Sequence, residues 1–116
     1  MEQKVPIINS DDIERIIKRD FPQFQFSEVM NILMKYVSQS EEGRFRVYAS
    51  ILKLSGGDIR LVKEYIEKAN ADFRDVISLS EYPNYSRYAL ESDLSEEKEE
   101  ELIKDDWIQY KTWLEK

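Results

Sequence analysis

The chain has 116 residues, neither cysteine nor histidine, and a formal charge of −7. It therefore has no disulfide framework, no thiolate nucleophile, and neither the usual general base nor the commonest transition-metal ligand. The negative excess falls in residues 91–106, where nine acids meet only Lys98 and Lys104 and outside which acids and bases balance, so no basic stripe offers itself to a phosphate backbone and nucleic-acid binding is disfavoured.

Apolar spacing is helical almost throughout. Ile13, Ile16 and Ile17 make a short stripe after Asn9, Ser10 and Asp11, which supply an N-cap and first-turn acids. This first helix should stop near Asp20, because Pro22 disfavours helical geometry in the residue before it. Phe21, Phe24 and Phe26 crowd the link that follows. Ser27 is the expected cap of a second helix, with Val29, Ile32, Leu33, Tyr36 and Val37 on one face and an end near Ser40.

A third helix is expected over about 44–55, with Phe45, Tyr48, Ala49, Ile51 and Leu52 inward. Gly56 should take a left-handed conformation at its end, Gly57 should give slack, and Asp58 should cap a fourth helix. The fourth stripe is Ile59, Val62, Tyr65, Ile66 and Ala69, with Asn70 as a left-handed stop. Asp72 and Asp75 should open a short fifth helix carrying Phe73, Val76 and Ile77 and closed before Pro83. The stretch EYPNYSRYAL reads as an irregular, aromatic-rich connection, and a last helix should run from near Ser95 with Ile103, Trp107, Tyr110 and Leu114 on its inner stripe. Trp113 lies on a different face from Trp107, so Trp107 is the expected core residue and Trp113 the exposed one.

No run has period-2 alternation bounded by turn residues, so no sheet is expected. The fold class is all-α: a single domain over 1–116, with a compact bundle of five to six short helices over about 10–90 and a longer C-terminal helix over about 93–116. The hydrophobic share of 41% suits one folded core, and three Gly and three Pro leave little room for tight turns. The first twelve residues, MEQKVPIINSDD, carry no long apolar run, so neither a signal peptide nor a membrane span is expected and a cytoplasmic location is the default.

The Gly56-Gly57 turn joins two helices and does not cradle phosphate. The glycines follow a helix instead of a strand, and Asp58 stands where an anion would need a donor. With Ile51-Leu52 before it and Ile59-Val62-Tyr65-Ile66 after it, the turn resembles the hairpin of ubiquitin-associated domains. Only Met34-Lys35-Tyr36 stands where that family carries its glycine-containing binding loop, so the resemblance implies packing and not ubiquitin binding. Leu52-Lys53-Leu54, Gly57-Asp58, Asp72-Phe73-Arg74-Asp75-Val76 and Glu81-Tyr82-Pro83 together resemble a small family of uncharacterised bacterial proteins, which implies a helical fold and bacterial origin.

Two carboxylate patterns have the spacing of metal sites. Glu64 with Glu67 and Asp72 with Asp75 are spaced like the magnesium pairs of all-helical nucleotide pyrophosphohydrolases, and Glu97, Glu101 and Asp105 form a second acidic stripe. Solvated helix faces and helix starts account for both patterns, so no catalytic, cofactor or metal residue is assigned. The sequence points to a non-enzymatic interaction or regulatory domain, monomer or homodimer, that binds a protein partner, a basic one where the acidic stretch takes part. The alternative is an immunity- or antitoxin-type inhibitor of a cationic toxin, and a carboxylate-site enzyme stands third. Candidate partner-binding residues are Tyr82, Tyr85, Tyr88, Glu96, Glu97, Glu99, Glu100, Glu101 and Trp113.

Overall fold

The computed structural model describes residues 6–37, 41–88 and 95–116. Among them the chain forms α1 (Ser10–Asp20), a 3-10 turn (Gln23–Gln25), α2 (Phe26–Leu33), α3 (Glu41–Ser55), α4 (Ile59–Glu81), α5 (Pro83–Tyr88) and α6 (Glu96–Leu114), with no strand among the described residues. The all-α expectation is met.

α1 starts with a reciprocal cap: the Asp12 N–H donates to Asn9 Oδ1 at 2.9 Å and the Asn9 N–H to Asp12 Oδ2 at 3.1 Å. Phe21 is extended ahead of Pro22, so the helix ends where the proline requires. Pro22 also starts the 3-10 turn, and the backbone is already helical by Phe26, which leaves Ser27 inside α2 and not at its cap. α2 stops at Leu33, well before Ser40, and the turn after it is held from outside: Asn70 accepts the Val37 N–H at 3.0 Å and donates to the Lys35 carbonyl at 3.4 Å.

The α3–α4 hairpin is the centre of the fold. Gly56 has φ +55° and Gly57 +85°, and Asp58 then accepts the Arg60 N–H at 2.9 Å as the α4 cap. Gly57 does not give slack: a Cβ there would meet the Asp20 carbonyl oxygen at 2.7 Å. The turn is where the end of α1 presses on the hairpin. Val47, Ile51 and Leu52 of α3 and Val62, Ile66 and Ala69 of α4 form one buried cluster with the inward faces of α1 and α2. Phe45, Ile59 and Tyr65 pack on its edge, only partly buried.

Asn70 does not adopt a left-handed conformation, and α4 continues past it. The break falls at Asp72, which is extended (φ −157°, ψ 102°) and accepts the Arg74 N–H at 3.0 Å, so one carboxylate ends one helical segment and caps the next. Pro83 opens α5 where an irregular connection was expected; a proline at the first helical position gives up only an N–H that would have no intrahelical partner. α6 begins at Ser95, whose hydroxyl accepts the Lys98 N–H at 3.2 Å. Its buried residues are Leu102, Ile103, Asp106 and Tyr110, so the inner face is rotated from the expected stripe. Trp107 is half-buried and outside the main cluster, whereas Trp113 packs on that cluster with its ring 5.6 Å from Tyr110. No helix of the described residues is long and apolar enough to cross a membrane.

Candidate functional site

Three features carry the polar chemistry of the molecule. The first is the contact between α5 and the first half of α6. Asp106, fully buried, accepts the backbone N–H of Asn84 at 3.0 Å and of Tyr85 at 2.8 Å. A carboxylate from α6 therefore answers the free donors at the start of α5, where negative charge is favoured. One turn before Leu102 and Ile103, Glu99 accepts the Tyr85 hydroxyl at 3.1 Å, and this bond raises the Tyr85 pKa. Glu96, Glu97, Glu100 and Glu101 project into solvent on the same helix start.

The second feature is the seam of α6 with the rest of the bundle. Arg46 of α3 makes a two-pronged contact with Glu81 at 2.8 and 2.7 Å, and Glu81 is buried at the end of α4. Gln109 donates to the Ser80 carbonyl at 3.1 Å. The last carbonyls of α6 accept from α1: Trp113 from Arg19 and Leu114 from Arg15, each at 2.8 Å. Two cations thus meet the negative end of the α6 dipole, and the Arg19 guanidinium also lies over the Trp113 ring at 5.2 Å. Tyr110 is buried here with its hydroxyl unpartnered, and desolvation pushes its pKa far up. Burial likewise raises Tyr82 and lowers Lys53, the latter opposed by the charge of Asp106.

The third is a groove of about 790 Å³ where α4 breaks, lined by Val37, Arg46, Asn70, Phe73, Arg74 and Ile77 among others. Val37 is 80% and Phe73 45% exposed. Its charges are matched internally, Arg46 by Glu81 and Arg74 by Asp72 at 3.0 Å, and the Arg74 contact holds the exposed Asp72 carboxyl below its ordinary pKa.

The sequence-derived partner residues are therefore not one patch with one role. The structure brings Tyr85 and Glu99 together and leaves Glu96, Glu97, Glu100 and Glu101 exposed beside them. Tyr82 is half-buried at the α4–α5 joint, and Tyr88 is the last residue of α5, its side chain outside the described residues. Trp113 lies at the far end of α6 beneath Arg19, partly buried, where exposure was expected. The sequence reading missed Asp106, Arg46, Glu81, Arg15 and Arg19. Only Asp106 had a visible signal: it lies three residues after Ile103 and four before Tyr110, on the inner stripe itself.

Glu64, Glu67 and Asp75 are exposed and Asp72 is engaged by Arg74, and among the described residues no group of three or more acids is placed to hold a metal ion. No family model, curated protein or solved structure matches this chain.

Proposed function

We propose that the protein acts by binding another protein, and that the partner offers a basic surface to the start of α6. The observation that carries this reading is the exposed set Glu96, Glu97, Glu100 and Glu101 on a helix tied at its middle through Asp106 to α5 and at its end through Arg15 and Arg19 to α1. A concentrated field of one sign speeds encounter with the opposite sign, and a helix already fixed in place loses little freedom on contact. The groove at the α4 break, with Val37 and Phe73 open to solvent, supports the same class of function, since exposed apolar rings and branched chains framed by polar groups suit a protein surface. A regulatory adaptor and an inhibitor of a cationic toxin would use this surface alike.

The test compares the native chain with a variant in which Glu96, Glu97, Glu99, Glu100 and Glu101 are all Gln. With a partner captured by cross-linking, association should be several-fold slower for the variant at about 20 mM salt, and the difference should shrink at about 300 mM as the field is screened. Equal rates at low salt would refute the steering role.

A further inference from the structure

We propose that the seam where α6 meets α3 and the end of α4 is a binding site for ordered water, anchored on the Tyr110 hydroxyl and shared with the hydroxyls of Ser80 and Ser50. Among the described residues, four buried side-chain polar atoms have no hydrogen-bond partner in the protein: Arg44 Nε, Ser50 Oγ, Ser80 Oγ and the Tyr110 hydroxyl. Arg44 stands apart, stacked on Phe45 near the start of α3. The three hydroxyls belong to one place.

Tyr110 feels the charges of Glu81 and Arg46, which pair with each other at 2.7 Å. Ser80 is the residue before Glu81, and its carbonyl accepts from Gln109, the residue before Tyr110. Ser50 lies one turn along α3 from Arg46 and three residues before Lys53. At about 100° per residue, Ser50 stands about 40° from Arg46 and about 60° from Lys53 around the helix. Both cations face α6, Arg46 near Tyr110 and Lys53 near Asp106. Ser50 therefore faces the same seam.

Ser50 and Ser80 are 0% exposed and Tyr110 is 1% exposed. A hydroxyl taken out of water without a new bond costs free energy. The helices do not supply that bond: Ser50 and Ser80 do not turn back onto their own backbone, as the buried Ser55 does onto the Ile51 carbonyl at 2.6 Å. The surroundings also exclude an ion as the occupant. Arg46 offsets Glu81, Arg15 stands 3.9 Å from Asp12, and Lys53 feels Asp106, so neither sign is in excess. A neutral ligand that both donates and accepts is required, and a buried water makes about three such bonds. Hydroxyls from three helices suit it. Water held there joins α6 to α3 and α4 through Tyr110, the side chain that turns inward.

Oxygen-17 relaxation dispersion of the solvent, recorded on the full chain, counts water molecules held for longer than the protein takes to tumble. The native protein should hold such water. Tyr110→Phe and, separately, Ser50→Ala with Ser80→Ala should each lose the amplitude of at least one molecule. Ser55→Ala should lose none, because that buried hydroxyl already has its partner. The serine variant keeps the test usable where Tyr110→Phe does not fold. The urea midpoint is a second readout: removing a hydrated hydroxyl lowers it, whereas removing a dry one raises it. A native amplitude in either folded variant, an equal loss in Ser55→Ala, or a Tyr110→Phe midpoint above that of the native chain overturns the proposal.

Discussion

Replacing each glycine of the hairpin turn by alanine separates backbone strain from crowding at one place in the fold. At Gly56 (φ +55°) an added Cβ has nothing within 4 Å, so Gly56→Ala carries only the left-handed penalty of about 1 kcal/mol. Gly57 (φ +85°) carries a similar penalty, and its Cβ would also stand 2.7 Å from the Asp20 carbonyl oxygen, inside the 3.0 Å that real Cβ contacts respect. Relief requires the end of α1 to retreat, yet Ile16 and Ile17 on that helix are fully buried. Overpacking against a fixed neighbour adds about 1–3 kcal/mol, so Gly57→Ala should cost about 2–4 kcal/mol. Both variants make the same chemical change, and the effect on the unfolded chain largely cancels between them. Urea unfolding followed by far-ultraviolet circular dichroism gives the comparison, with equal slopes as the check that the transition is the same one. In thermal melts the losses correspond to roughly 4 °C per kcal/mol for a chain of this size. Equal stability of the two variants would refute the placement of α1 against the turn.

Asp106→Ala should destabilise the protein by about 2–4 kcal/mol, because the Asn84 and Tyr85 N–H groups lose their shared acceptor inside the fold; a loss below about half a kilocalorie in urea unfolding would place α5 elsewhere. The alkaline limb of stability should slope downward: the fold raises the pKa of Tyr36, Tyr48, Tyr82, Tyr85 and Tyr110 above the ordinary 10.0, so above that pH the unfolded chain sheds protons that the folded chain retains. Lys53, lowered by burial, acts in the opposite direction but is one group against five, and a urea midpoint that stays level or rises from pH 9 to 12 would contradict this balance.

Local chemistry carried much of the outline. Asn9 and Asp58 cap their helices, Pro22 stops α1, and the Ile13-Ile16-Ile17 and Val62-Ile66-Ala69 stripes face inward, because each depends on residues within about one or two turns. Where the sequence reading failed, a distant group or a competing local signal decided. Asn70 is a sound left-handed stop by itself, but in the fold its amide is engaged by the backbone at Lys35 and Val37, and the helix runs on to Asp72. The stretch after Pro83 offered aromatic crowding and a proline, yet it is helical because Asp106, more than twenty residues away, supplies its missing acceptor.

The candidate site divides in the same way. The sequence alone determined that the first half of α6 is acidic and free of apolar residues up to Leu102, since a segment with nothing to bury remains in water in any packing. Only the tertiary structure decided which face of α6 turns inward, that Trp113 and not Trp107 meets the core, and that Arg15 and Arg19 close the helix end. Helical spacing fixes the angles between side chains on one helix but leaves its rotation about its own axis open. That rotation is set by what the neighbouring helices present: the α5 amides that need an acceptor, the α1 arginines that need carbonyls, and the edge of the core that takes the Trp113 ring.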